Sequence, residues 1–176
     1  MLCQEFNFYT LESSNKKTIA TEGCDRRLTY LNNMHNQRIK EKQKDPFLRR
    51  ILIVDNEPDV TLTFGVGLEG YYHHNDDDKR RFEVYSYNDP EVALSEFKPN
   101  FYDLLLTDIF MSKMNGLELY QKIVEIDANI RVCFMSAAEV NIEALREVYP
   151  KVSFGCFVQK PITIDKLVKR LLAELD

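Results

Sequence analysis

Four polar side chains with complementary chemistry each follow a short apolar run in the sequence. They are Asp55, Asp108, Ser136 and Lys160. Neighbouring carboxylates repel one another, and a hard cation such as Mg²⁺ relieves that repulsion through oxygen ligands. A carboxylate such as Asp108 can also act as a nucleophile and form an aspartyl phosphate. The residue types therefore predict metal-assisted phosphoryl transfer, with the lysine ammonium and the serine hydroxyl contacting phosphoryl oxygens.

The apolar runs alternate with helical patterns along residues 49–176. Short runs rich in β-branched and aliphatic residues are typical of strands that are buried on both faces. The predicted strands are 51–54, 82–87, 104–106, 130–135 and 154–158, and the predicted helices begin near Pro58, Pro90, Leu117, Glu139 and Ile164, the last capped by Thr163. This alternation predicts an α/β fold, a five-stranded parallel sheet with helices on both faces. Such sheets carry their sites at the carboxyl ends of the strands, where the four polar side chains are expected to meet.

Four segments of this part of the chain resemble the receiver domain of two-component response regulators, of the chemotaxis-receiver type. They are ILIVDNEPDV (51–60), DLLLTDIFMSKMNGLEL (103–119), VCFMSAAE (132–139) and FVQKPITIDKL (157–167). Each segment alone is weakly specific, but all four in this order at strand ends form a highly specific pattern. The resemblance covers about three quarters of the chain and implies the flavodoxin-like strand order 2-1-3-4-5.

The resemblance also implies a role for each polar residue at the strand ends. Asp108 corresponds to the phospho-acceptor, and Lys160 corresponds to the lysine that assists it. The peptide bond between this lysine and the following proline, here Lys160-Pro161, is often cis in the family. Asp55 belongs to the acidic pair that supports Mg²⁺, and the backbone carbonyl of Phe110 is a further metal ligand. Ser136 corresponds to the switch hydroxyl.

The sequence departs from the family pattern at two positions near this site. Asn56 stands where the family has the second acid of the pair, a direct metal ligand. Its amide still offers an oxygen, but the site loses one negative charge, so weaker Mg²⁺ binding and weaker phosphorylation are expected. Glu57 is the candidate for a compensating acid, acting through water. Ser112 replaces a preferred proline, which loosens the loop without removing a chemical group.

The function implied by the resemblance is a step in a phosphorelay. A histidine kinase or histidine phosphotransfer protein is expected to phosphorylate Asp108. Ser136 then moves inward, Phe157 follows as the aromatic switch residue, and the face made by the fourth helix, fifth strand and fifth helix changes. Because no effector domain is seen before the sequence ends at Asp176, the expected output is contact with a downstream protein. The resemblance also implies a possible homodimer, since related receivers often pair through the face made by the fourth helix, fifth strand and fifth helix.

Two other functions remain open at this point. Asn56 is compatible with a degenerate receiver that works as a phosphorylation-independent binding module. A small metal-dependent phosphohydrolase is the third interpretation, but Phe110 occupies the position two residues after Asp108 where such an enzyme needs a second acid. We therefore expect a signalling domain that catalyses only its own phosphotransfer.

Composition adds further expectations. Residues 1–48 are polar and poor in aliphatic side chains, which predicts a flexible or partly helical tail before a receiver domain at 49–176, and residues 72–81 form a polar insert. The net charge is −5 and the acidic excess lies in residues 51–176, so nucleic-acid binding is not expected. No apolar run suits a membrane span. No C-x-x-C pair is present, so Cys133 and Cys156 are predicted to be buried thiols in a cytoplasmic protein.

Overall fold

Five parallel strands form the centre of the described chain. The computed structural model describes residues 45–71 and 80–176. The strands are β1 (Leu48–Val54), β2 (Arg81–Tyr87), β3 (Leu104–Asp108), β4 (Arg131–Ser136) and β5 (Cys156–Gln159). They form one sheet in the order β2-β1-β3-β4-β5, with parallel pairing throughout. The predicted fold class and strand order are therefore confirmed.

A helix follows each strand, and polar side chains set where several of these helices begin. The helices are α1 (Pro58–Glu69), α2 (Pro90–Ser95), α3 (Gly116–Ile126), α4 (Ile142–Val148) and α5 (Ile164–Leu175). Helix α4 begins three residues later than predicted, because the Asn141 side chain accepts the N–H of Ala144 and caps the helix there. Thr163 precedes α5 as predicted, but its side chain makes no capping hydrogen bond.

Alternating strand residues build two separate hydrophobic layers. On one face of the sheet, Ile51 and Ile53 pack with residues of α1 and α5, including Leu171. On the other face, Leu52 and Val54 pack with residues of α2, α3 and α4. Each buried aliphatic side chain contributes about 1.5–3 kcal/mol, so the layers hold both sets of helices on the sheet. This arrangement fixes the carboxyl edge at which the polar residues lie.

The prediction of two separate buried thiols is wrong. Cys133 in β4 and Cys156 in β5 are direct partners in the strand register, and both are buried. Their sulphur atoms form a disulfide, with the two Cα atoms 4.5 Å apart. Sequence spacing did not reveal this pair because the register between β4 and β5 depends on how the whole intervening helix packs.

Several predictions lie wholly or mostly outside the described residues. They concern the tail at 1–48 and the polar insert at 72–81, of which the structure describes only 45–48 and 80–81. Strand β1 begins at Leu48 and strand β2 begins at Arg81. Within the described ranges, no helix is both long enough and apolar enough to cross a membrane.

Candidate functional site

Three charged side chains meet at the carboxyl edge of the sheet. Asp55 follows β1, Asp108 ends β3 and Lys160 follows β5, and all three are buried. The Nζ atom of Lys160 lies 2.8 Å from Oδ2 of Asp55 and 3.3 Å from Oδ1 of Asp108. The parallel strands thus bring together side chains that are up to 105 positions apart in the sequence.

The turn after β1 is held by Asn88, a residue that no sequence motif singled out. The Asn88 side chain, at the end of β2, donates hydrogen bonds to the backbone oxygen of Asp55 (2.8 Å) and to Oγ1 of Thr61 (3.0 Å). Oδ1 of Asp55 accepts the backbone N–H of Glu57 at 2.9 Å. These bonds fix the orientation of the Asp55 carboxylate. The only available signal for Asn88 was its position at a strand end.

Asp108 carries a carboxylate that its surroundings do not fully satisfy. Its side chain is 6% exposed, and Oδ1 accepts no hydrogen bond from the described part of the chain, although the Lys160 ammonium lies 3.3 Å away. Burial raises the pKa of Asp108 above its ordinary value; the Lys160 charge opposes this shift, and the Asp55 charge adds to it. An ionised Asp108 is therefore an unfavourable buried charge that a further cation would stabilise.

The backbone of Asp108 is in close contact with the start of α3. Oγ1 of Thr107 donates to the backbone oxygen of Asp108 at 3.2 Å. A Cβ atom added to Gly116 would lie 2.1 Å from the same oxygen, so only glycine fits at this position. The turn at Asn115-Gly116 thus places the helix directly against the acidic residue, and Asn115 caps α3 through the N–H groups of Leu117 and Glu118.

Lys160 remains a cation despite its burial. Burial alone would lower the pKa of Lys160, but the hydrogen bond to Asp55 and the charges of Asp55 and Asp108 outweigh it and raise the pKa. The bond to Pro161 is cis, as the resemblance implies. The Lys160 backbone N–H donates to the backbone oxygen of Ser136 at 2.8 Å, and this bond joins the end of β5 to β4.

The hydroxyl of Ser136 does not contact the charged cluster. It donates to the backbone oxygen of Ala138 at 2.9 Å and accepts the N–H of the same residue at 3.0 Å. Gln159 holds the same loop by donating to the oxygen of Ala137 at 3.0 Å. Phe157 is half-buried and packs on the face of the sheet covered by α2, α3 and α4. Ser136 therefore ends β4 as predicted, but its hydroxyl is bonded within its own loop, and the switch roles of Ser136 and Phe157 stay predictions.

The oxygen atoms at this edge suit a hard cation. The described residues include no group of three or more His, Cys, Asp and Glu side chains arranged to hold a metal ion. Two buried carboxylates are nevertheless present, and the Oδ1 atom of Asp108 lacks a hydrogen bond from any described residue. Asn56 is exposed beside Asp55, and Phe110, whose side chain is 58% exposed, follows Asp108 by two residues. Carboxylate, amide and backbone oxygens are the ligand types that Mg²⁺ prefers, so this donor set fits the ion.

A cleft beside Lys160 gives access to the cluster. Its volume is about 490 Å³, and its lining includes Glu57 and Phe64 near α1 together with Pro161 and Ile162 after β5. The walls combine apolar side chains with the edge of the charged cluster. The cleft therefore borders the side of the charged cluster on which Lys160 and Glu57 lie.

The fold and this charged edge agree with what the chain is similar to. The profile of the response regulator receiver domain matches residues 51–172. The chain therefore belongs to the receiver domain family of two-component response regulators, a family of signalling domains.

The individual proteins compared with this chain have low sequence identity to it, 29% or less. The transcriptional regulatory protein RprY of Bacteroides fragilis is 29% identical over 89 residues, which are 51% of this chain and 37% of RprY. The response regulator receiver protein CpdR of Brucella abortus is 27% identical over 89 residues, which are 51% of this chain and 67% of CpdR. The chain thus matches little more than a third of RprY. In the CheX–CheY–BeF₃–Mg²⁺ complex of Borrelia burgdorferi, a chain that is 24% identical has the same fold. Its TM-score is 0.55, and the likeness covers 71% of this chain and 87% of that chain.

Proposed function

We propose that this receiver accepts a phosphoryl group on Asp108 from a histidine kinase or a histidine phosphotransfer protein. The observation that carries the proposal is the buried Asp108 carboxylate, with an oxygen that accepts no hydrogen bond from the described residues and the Lys160 amine nitrogen 3.3 Å away. In the transfer, an Asp108 oxygen forms a bond to phosphorus while the bond from phosphorus to the donor imidazole breaks. Lys160 stabilises the negative charge on the transferred oxygens.

A divalent cation belongs to this proposal. Asp55, Asp108, the Asn56 amide oxygen and the Phe110 backbone carbonyl are the groups that would hold Mg²⁺. When bound, the ion neutralises charge on the phosphoryl oxygens and reduces their repulsion from Asp108. The Borrelia burgdorferi complex, with its BeF₃ and Mg²⁺, supports the proposal by similarity of fold.

The proposed output is a change at one face of the molecule. The Ser136 hydroxyl leaves its bonds to Ala138 and turns to the phosphoryl group, and Phe157 then moves into the vacated space. None of the residues of α4 is fully buried, and only Ile142 and Leu145 among them pack in part against the core, so we expect this helix to shift at lower cost than α5. The face formed by α4, β5 and α5 thereby changes its affinity for a downstream protein or for a second copy of the chain.

Labelling with a small phosphodonor tests the proposal. We expect the wild-type chain to gain one phosphoryl group in the intact mass after incubation with acetyl phosphate and Mg²⁺, and Asp108→Asn to gain none. Asp59→Asn is the matched control, because it removes one exposed carboxylate from the nearby α1. Equal labelling of wild type and Asp108→Asn would refute the proposal. Transfer from phosphorylated kinases of the same organism then identifies the donor.

A phosphorylation-independent binding module is the second candidate function. It is favoured by Asn56 and by the lack of a three-acid metal cluster among the described residues. This function predicts no labelling of the wild type and no response to millimolar Mg²⁺, while Asn56→Asp restores both. Labelling of the unmodified sequence at Asp108 excludes it.

A further inference from the structure

Glu57 is the acid of the charged cluster that is free to change its contacts. The Nζ atom of Lys160 lies within 3.4 Å of Glu57 Oε1, in addition to its contacts with Asp55 and Asp108. The Glu57 side chain is 60% exposed, whereas those of Asp55 and Asp108 are 0% and 6% exposed. The backbone N–H of Glu57 is held by Asp55 Oδ1, which keeps the base of the side chain at the rim of the site.

The charge count of the cluster explains why such an acid matters. Asn56 contributes no charge, so Asp55 and Asp108 provide the only buried carboxylates of the cluster among the described residues, and Lys160 already neutralises one of them. A divalent cation would therefore enter a site with too little negative charge around it. Glu57 is the next residue in the chain and already reaches the Lys160 ammonium.

We propose that Glu57 compensates for Asn56 by exchanging its contact with Lys160 for an outer contact, through water, with a divalent cation. This inference rests on the metal role in the proposed function. A second observation, which does not involve Glu57, also points to a cation: the Oδ1 atom of Asp108 is buried and accepts no hydrogen bond in the described chain, although the Lys160 ammonium lies 3.3 Å away. Groups that support a metal through its bound water typically change metal affinity about ten- to a hundredfold when removed.

A double-mutant cycle on the full-length chain tests the inference through metal binding alone. The Mg²⁺ dissociation constant is measured by tyrosine fluorescence or NMR for wild type, Glu57→Gln, Asn56→Asp and the double variant. We expect Glu57→Gln to weaken Mg²⁺ binding about tenfold or more in the wild-type sequence. In the Asn56→Asp background the same change is expected to have much less effect, because the introduced carboxylate then supplies the missing charge directly.

Asp59→Asn is the control for general electrostatics. Asp59 lines the same cleft and is exposed, and its substitution makes the same change in net charge without touching Lys160 in the structure. An equal loss of affinity in Asp59→Asn, or an equal effect of Glu57→Gln in both backgrounds, would overturn the inference. So would a wild-type chain that binds no Mg²⁺.

The outcomes also separate this inference from the proposed function. If Asp108 is labelled by acetyl phosphate while Glu57→Gln leaves the Mg²⁺ dissociation constant unchanged, Glu57 has no metal role and the proposed function stands. If wild type binds Mg²⁺ more tightly than Glu57→Gln but Asp108 takes no label, the metal role of Glu57 stands and phospho-acceptance fails.

Discussion

Asp108 is the residue at which burial and charge are most directly opposed. Its carboxylate lies at the end of β3 near Lys160 and is nearly inaccessible to water, while its backbone oxygen lies against Gly116. A fold optimised for stability alone would place a neutral side chain there. Under the proposed function, this charge is the feature that the phospho-acceptor needs, and we expect it to lower the stability of the fold.

This cost predicts a specific pH dependence. Because burial raises the pKa of Asp108 above 3.8, the folded state binds the proton more tightly than the unfolded state. The stability from the protonated carboxyl is fully present below 3.8 and is lost as the pH rises through the folded-state pKa. We expect Asp108→Asn to melt at a higher temperature than wild type at pH 7. The difference should shrink toward acid pH in circular dichroism melts, and a difference that is constant with pH would contradict this account.

Helix α1 packs closely against α5 at one of its two internal glycines. Glycine is a poor helix former, yet α1 contains Gly65 and Gly67 and continues to Glu69. A Cβ atom on Gly67 would lie 2.4 Å from Cδ1 and 2.6 Å from Cγ1 of Ile164 in α5, so α1 and α5 approach closely at this point. A Cβ atom on Gly65 would approach Oγ of Ser86 no closer than 3.5 Å, an ordinary contact.

The two glycines therefore predict opposite effects of the same substitution. Gly65→Ala is expected to raise the free energy of unfolding by about 0.5–1 kcal/mol, since alanine is the better helix former. Gly67→Ala is expected to lower it by about 1–3 kcal/mol through overpacking. Adding Ile164→Val, which removes the Cδ1 methyl, should recover part of that loss. Urea denaturation measures all three, and equal effects at both glycines would show that α1 and α5 do not pack this closely.

At the scale of the whole described domain, the helices α5 and α4 differ in how deeply their side chains are buried. Helix α5 buries five residues, namely Leu167, Val168, Leu171, Leu172 and Leu175. Helix α4 has no buried residue along its described length, and it lies next to the loop that Ser136 holds. Helix α5 is therefore anchored by five buried side chains and α4 by partly buried ones, and elements with few buried contacts open at lower free energy.

Native-state hydrogen exchange tests this difference. We expect the amides of α4 to exchange much faster than those of α5 and of β3, because α4 can open without breaking the core. Addition of BeF₃ and Mg²⁺, which mimic the phosphoryl group, should change exchange in α4 and β5 more than in α1. Protection of α4 equal to that of α5 would argue against a switch at this face.

Much of the fold and the three charged residues at the sheet edge were predictable from local patterns. Short β-branched runs and the amphipathic helices between them predict parallel strands. The polar residue at the carboxyl end of each strand can then be identified without any knowledge of packing. Asp55, Asp108 and Lys160 were identified in this way. The reason is physical: the alternation of elements and the parallel geometry leave only one edge for the carboxyl ends.

The remaining features depend on tertiary contacts that local patterns do not encode. The bond from Asn88 to Asp55, the pairing of Cys133 with Cys156 and the contact of Gly67 with Ile164 each join segments that pack only after the helices close on the sheet. The sequence alone thus determined which groups stand at the carboxyl edge. Only the tertiary structure decided which of them touch, because distances between elements follow from strand register and helix packing rather than from the residues themselves.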